Sequence, residues 1–417
     1  MNLTYNVSDK PPLSKILVCA FQQLLAILAA TIAVPAIIGH GMSQAAALFG
    51  AGIGTLVYVL CTKRQSPVFL GSSFAFLGSM AAAFAGAVST AAGYFGLILG
   101  AAFAGLVYVI LSLIIHFCGI GWLDKIMPPV VIGPTVAIIG LSLAGNAVGD
   151  ITLFGYKGLV AGLVALLATV IASTYGNKNL KLIPFIIGIG CGYVVALCFG
   201  IVDFSNFQHL TWLPSFTIVE AMKSENVISW SYILTVMVAY VPVAFVVFAE
   251  HIADHVNLSS IIGKSLLLEP GLKWTLLGDG LGSFAGAIFG GCPNTTYGES
   301  ISCTAISGNA SIYVTITTAI MAIIASMIAP FTAFLATIPT CVMGGVCFML
   351  YGYIAVSGLK MIQKVDLGDN RNLFVVASIL VAGVGGLSLH FGQVTLTSVA
   401  TALILGIIVN FITHAKK

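Results

Sequence analysis

The chain has 417 residues, of which 59% are hydrophobic and only 7% charged, with a net charge of +3 and a mean hydropathy of +1.09. A soluble domain carries about 25% charged residues, so this chain lacks the polar surface that solubility requires and reads as an all-α polytopic membrane protein embedded in a lipid bilayer. Its nine cysteines are scattered through apolar segments with no CxxC or metal-ligand spacing, and read as small core residues without a disulfide framework.

The N-terminal stretch MNLTYNVSDKPPLSK is polar, shows no cleavable signal peptide and leads directly into an apolar span. A span needs about 20 apolar residues. In chain order the candidates are 14–38, 43–61, 68–87, 92–117, 128–147, 156–175, 181–201, 228–253, 275–291, 295–307, 309–333, 338–357, 373–389 and 395–414. That predicts about fourteen transmembrane segments, the third and tenth short and glycine-rich. With the N-terminus in the cytoplasm, every lysine and arginine except Lys157 and Lys223 falls on the cytoplasmic side, including Lys416 and Lys417. Both termini are then cytoplasmic, and the longest external segment, 202–227, is aromatic and slightly acidic like an interfacial loop.

The two halves echo each other. GAGIGTLVY (Gly50 to Tyr58) resembles GDGLGSFAG (Gly278 to Gly286), and MPPVVIGPTVAIIGL (Met127 to Leu141) resembles IPTCVMGGVCFMLYG (Ile338 to Gly352). Any two glycine-rich apolar helices look somewhat alike, but the shared order of two separate motifs favours a true repeat. Two halves of seven spans each would be inverted relative to one another, an arrangement that places a binding site at the midplane. The third and tenth segments, SPVFLGSSFAFLGS and GGCPNTTYGESIS, each begin at a proline (Pro67, Pro293) and pass through small polar residues to an aromatic (Phe74, Tyr297). Proline lacks the N–H and glycine favours extended or turn geometry. Each segment is therefore expected to run as a short β-strand followed by a half-helix whose first N–H groups face a solute. A hinge or a close helix contact is the plainer alternative.

Two carboxylates interrupt long apolar stretches: Glu250 in AYVPVAFVVFAEHIAD and Glu299 in PNTTYGESIS. A carboxylate in hydrocarbon is expensive, and such residues commonly face a cavity and handle a proton, an ion or a polar solute. Asp254 follows Glu250 by one helical turn, on the same face; such a pair suits binding and releasing a proton, although Asp254 also stands near a span end where water can solvate it. His251 and His255 are expected to be surface or packing residues, Asp279 an N-terminal helix cap, and His390 a surface residue at an external turn. Two carboxylates, half-helix N-termini and aromatic faces suit a flat, neutral, hydrogen-bonding ring such as a nucleobase. An anion would be repelled unless the carboxylates were protonated, and the row of basic residues that a nucleotide requires is not evident. No Ser–His pair or aspartate pair at membrane depth, no metal cluster and no phosphate loop points to an enzyme.

GSSFAF (Gly71 to Phe76), AEH (Ala249 to His251), PNTTYGE (Pro293 to Glu299) and VMGGV…LYG (Val342 to Gly352) resemble the nucleobase–ascorbate (nucleobase–cation symporter) transporters, and among them the bacterial uracil–proton symporters. The resemblance implies import of uracil with a proton as coupling ion, no cofactor, no nucleic-acid partner, a homodimer, and residence in the cytoplasmic (inner) membrane; xanthine, thymine or, with the same architecture, an anion are the alternative solutes. It implies two inverted seven-span repeats, short strands in spans 3 and 10, and an elevator-like movement of a core domain (14–117 and 228–333) against a gate domain (126–202 and 338–414). Carried over by motif, Glu250 and Glu299 would hydrogen-bond the ring and the amides of Phe74 and Gly298 would meet its carbonyls. Ser73, Tyr297 and Ala30 would line or flank the pocket, and Tyr351 would contribute from the gate. The family's histidine one turn after the first glutamate is here Asp254, with His255 next to it; either Asp254 takes the proton role or coupling rests on Glu250 alone. Gln23 likewise stands where a histidine is often found.

Overall fold

The computed structural model describes residues 3–208, 210–224, 228–391 and 394–414. Lys416 and Lys417, and the side chain of His390, lie outside what is described. The chain is mostly helical because long apolar runs without water must satisfy their backbone groups internally. Among the described residues, seven helices are long and apolar enough to cross a membrane: Leu13–Ile38, Gln44–Cys61, Thr90–Cys118, Pro129–Thr152, Gly155–Tyr175, Trp230–Ile262 and Thr340–Ile362. Ile312–Ser326 and Ala329–Ala336, bent by 83° at their junction, make an eighth if counted as one span. The other expected spans hold shorter or less apolar helices, such as Leu272–Gly290, Pro184–Cys198, Asn370–Val384 and Ser398–His414. The protein is therefore a multi-pass membrane protein.

The helices pack in two groups. In one, Gln44–Cys61 and Thr90–Cys118 pack on Leu272–Gly290, and Ile312–Ser326 and Trp230–Ile262 close around them. In the other, Thr340–Ile362 packs on Pro129–Ser142 and Gly155–Tyr175, with Pro184–Cys198, Asn370–Val384 and Ser398–His414 outside. Both groups are centred on a glycine contact between the segments that echo each other in sequence. A Cβ at Gly54 would lie 2.6 Å from the Gly282 carbonyl oxygen, and one at Gly282 equally close to that of Gly54. A Cβ at Gly140 would overlap the Tyr351 carbonyl in the second group. Only glycine lets the helix backbones approach this closely.

Within the first group, against Gln44–Cys61, Leu272–Gly290 and the Leu13–Ile38 helix, the third and tenth segments meet. Leu70–Ser72 pairs antiparallel with Asn294–Thr296, with Gly71 opposite Thr295. The Tyr297 amide donates to the Phe69 carbonyl at 3.1 Å and the Ser73 amide to the Pro293 carbonyl at 2.9 Å, so backbone groups freed by the two breaks satisfy each other. Gly71 is required because a Cβ there would run into the Tyr297 ring. Each strand then turns into a helix start, Phe74–Phe76 continuing as Leu77–Ala85, and Gly298–Ser307.

Two features lie outside the sequence reading. Leu389–Phe391 and Val394–Leu396 form a second antiparallel pair between the last two helices. The N-terminal segment is also tied down: the Ala310 amide donates to the Tyr5 carbonyl at 2.9 Å and the Ile312 amide to that of Val7 at 3.0 Å.

Candidate functional site

A cavity of about 890 Å³ lies between the two helix groups, and Glu250, Asp254, Phe74, Tyr297, Gly298 and Glu299 all line it. Their positions follow from local structure. Glu250 and Asp254 sit one turn apart on Trp230–Ile262, which runs well past the end of its apolar stretch. Glu299 is in the first turn of Gly298–Ser307, where the leading N–H groups of a helix have no partner within it. Both glutamates are half-buried, and Gly298 between strand and helix is exposed to the cavity.

The strand pair fixes this wall. Thr296 Oγ1 donates to Asp254 Oδ2 at 2.6 Å, linking the second strand to the long helix. The Tyr297 hydroxyl donates to the Ser72 carbonyl at 3.0 Å, and Ser72 Oγ donates to the Thr31 carbonyl at 3.1 Å, linking both strands to the first helix. Asp254 is buried, 7% exposed, so the expectation that water solvates it at a span end gives way. The helix continues two turns beyond it and Thr296 covers it.

Three expected pocket residues are not on the cavity wall. Ala30 and Ser73 are fully buried, the wall being reached by Ala26 one turn before Ala30. Tyr351 is buried with its ring edge-on to Phe74, centroids 5.3 Å apart at 84°, so it supports the aromatic wall from behind.

On the other face of the Trp230–Ile262 helix its histidines are packing residues and not surface ones. His251 and His255 are both fully buried, stacked on each other with centroids 4.0 Å apart. His251 Nδ1 lies 2.7 Å from Asp279 Oδ2, and its Nε2 lies 3.0 Å from Thr275 Oγ1. His255 Nε2 lies 2.7 Å from the Tyr58 hydroxyl, which is 2.7 Å from Ser66 Oγ. Asp279 is not a helix cap: it sits in the middle of Leu272–Gly290, fully buried. Hydropathy alone placed the start of that helix close to Asp279, and the AEH string gave no hint of a partner 28 residues on. Gln23 is buried as well: its Nε2 donates to Ser300 Oγ at 2.7 Å and its Oε1 accepts from Thr318 Oγ1 at 2.8 Å.

Chemically, the wall offers two carboxylates that accept ring N–H bonds, a helix start that donates to carbonyl oxygens, and an apolar ring face at Phe74. Among the described residues, no three His, Cys, Asp or Glu side chains converge as a metal site.

Residues 14–392 match the Permease family (Xan_ur_permease). The chain is 39% identical to the uracil permease of Bacillus caldolyticus, over 98% of this chain and 94% of that one. It is 35% identical to the uracil permease of Escherichia coli K12, over 96% and 92% respectively. Among solved structures, the transmembrane domain of the cyanobacterial bicarbonate transporter BicA superposes with a TM-score of 0.64 at 16% identity, covering 98% of this chain and 99% of that one, a likeness of fold. With a family match over nearly its whole length and relatives well above 30% identity, the chain belongs to the Permease family and is a multi-pass membrane transporter.

Proposed function

We propose that the protein imports uracil across the cytoplasmic membrane in symport with a proton. The observation that carries this reading is the convergence of Glu250, Glu299 and the exposed Gly298 amide on one cavity wall, from segments 49 residues apart in the chain. In the proposed complex the carboxylates accept the ring N–H groups and the amides of Gly298 and Phe74 donate to its carbonyls. Tyr297 holds the strand pair in place and Phe74 walls the ring. The proton rides on Glu250, or on Asp254 with Thr296 as its hydrogen-bond donor. Ser73, Ala30 and Tyr351 act from behind the wall.

In the same reading, all fourteen segments cross the membrane as two inverted seven-span repeats, with both termini cytoplasmic. The group around Leu272–Gly290 (14–117 and 228–333) is the core, which moves against a gate formed by 126–202 and 338–414, in a homodimer. The matched glycine contacts at the centre of each group support the repeat, since related segments meet each other in both.

Uptake of labelled uracil into proteoliposomes, with and without an imposed proton gradient, tests the function. Wild-type protein is expected to concentrate uracil only with the gradient, and Glu250→Gln and Glu299→Gln to abolish or severely impair uptake while the protein still folds. Normal uptake by either variant removes the central role of the carboxylates. Insensitivity to an uncoupler together with sodium dependence reassigns the ion. Competition by xanthine or thymine but not by uracil analogues would move the substrate to another nucleobase. An anion cargo, the alternative to which the bicarbonate-transporter fold lends weight, is disfavoured by two carboxylates facing the cavity.

A further inference from the structure

The cavity is much larger than one base needs, and its wall carries charge of both signs. Sites of about 300–1,000 Å³ enclose whole drug-sized ligands, whereas a single pyrimidine ring fills only a small part of 890 Å³. Glu250, Asp254 and Glu299 line it. The wall also carries three lysines, Lys181 and, from a single helix end far away in sequence, the exposed Lys360 and Lys364. The sequence reading found no row of basic residues suited to a nucleotide. Folding assembles one: Lys181 comes from the short Lys178–Leu182 helix, Lys360 from the end of Thr340–Ile362, and Lys364 from just beyond it. Positive-inside bias accounts for lysines at this end of the molecule but not for three lining one cavity. Among the described residues, none of the three has a carboxylate within 4.0 Å or donates a hydrogen bond, unlike Lys223 and Lys264, which pair with Glu220 and Glu269.

The length of the cavity is also suitable. Along the Trp230–Ile262 helix the lining runs from Glu250 through Asp254 and Asn257 to Ser260, a rise of about 15 Å at 1.5 Å per residue. That length accommodates an extended nucleotide. The Lys178–Leu182 helix packs against Gly298–Ser307, so Lys181 belongs to the same neighbourhood as Glu299.

We infer that the cavity also binds a pyrimidine nucleoside monophosphate, its base at Glu250 and Glu299 and its phosphate on Lys181, Lys360 and Lys364, as a competitive brake on transport. The inference rests on the nucleobase reading of the carboxylates. The phosphate anchors the ligand in the cavity, because carrying that charge through the hydrocarbon layer is prohibitive.

Titration calorimetry on the full-length protein in nanodiscs tests this, using uracil, uridine, uridine monophosphate and inorganic phosphate as probes. Wild-type protein is expected to bind the monophosphate about tenfold or more tightly than uridine, the size of one charge-assisted contact, with excess uracil displacing it. K181Q/K360Q/K364Q should lose that advantage while binding uracil within about twofold of wild type, which also shows that it folds. K181R/K360R/K364R should retain it. Equal binding of uridine and its monophosphate, or an unchanged monophosphate affinity in the glutamine variant, overturns the inference and leaves the uracil reading standing. Failure of uracil itself to bind removes both. Inorganic phosphate binding as tightly as the nucleotide, or lysine-dependent displacement of the nucleotide by phosphatidylglycerol in the nanodisc, would assign the lysines to a free ion or a lipid headgroup and overturn it too.

Discussion

Gly298→Ala separates the site from the fold. Gly298 opens the Gly298–Ser307 helix and is exposed to the cavity, and the nearest atom to a Cβ built on it is Asp254 Oδ1 at 4.0 Å, an ordinary contact. Its φ is not in the left-handed region, so alanine fits without strain and, by restricting the unfolded chain, raises stability by about 0.4–1 kcal/mol. The new methyl group occupies the space in which a ring must lie to reach the Gly298 amide. Loss of that hydrogen bond, with the amide still desolvated by the ligand, is worth about 1–3 kcal/mol, or about 5- to 150-fold in affinity. Purified wild-type and variant protein would be compared by melting temperature and by uracil titration. The expected result is an unchanged or slightly higher melting temperature with affinity lowered within that range. Wild-type affinity in a stable variant would show that the ring does not approach this helix start. A large fall in melting temperature would show that the space beside Gly298 is not open.

Two further substitutions probe the supports behind the wall. Asp279→Leu leaves His251 buried without its carboxylate partner 2.7 Å away. An unsatisfied buried ring nitrogen costs on the order of 1–3 kcal/mol, so the variant should melt below wild type, and adding His251→Phe should recover part of the loss. Gln23→Leu removes the bridge between Ser300 and Thr318. Each hydroxyl keeps another partner, the Phe69 amide and the Val314 carbonyl, so the cost is that of the lost bonds, about 0.5–1.5 kcal/mol each, and the expected result is a raised KM for uracil with a smaller change in maximal rate, measured in the same proteoliposome assay.

The helical, membrane-spanning class was legible because hydropathy is a bulk property that survives folding. Glu250 and Glu299 stood out for a related reason: charge is so scarce in this chain that each carboxylate in an apolar run is conspicuous. What could not be read depends on how helices rotate against one another. His251 and Asp279 lie on different helices, both packed against Thr90–Cys118, and meet only in the folded chain. Ala30 and Ala26 occupy successive turns of one helix, and no pattern in LLAILAATIAVP tells which of them reaches the cavity. The three cavity lysines do not stand out in sequence because they belong to two segment ends about 180 residues apart, where positive residues are ordinary.

These placements share a logic. Each glutamate on the cavity wall is followed in sequence by a buried anchor that cannot turn with it into the cavity. After Glu250 comes His251, tied to Asp279 and Thr275 on the neighbouring helix. After Glu299 comes Ser300, whose Oγ accepts from Gln23 and from the Phe69 amide at 3.1 Å. Adjacent residues on a helix point about 100° apart, so fixing one sets the direction of the other. The strand pair then closes the arrangement, since Phe69 also receives the Tyr297 amide and Thr296 holds Asp254. Two carboxylates that would each prefer water are thus held from two separate helices on the wall of the same cavity, with little freedom to relax away from it. A site preorganised in this way loses little conformational entropy when a flat ring enters, which is the property a transporter needs if its substrate is small and has few atoms with which to secure binding.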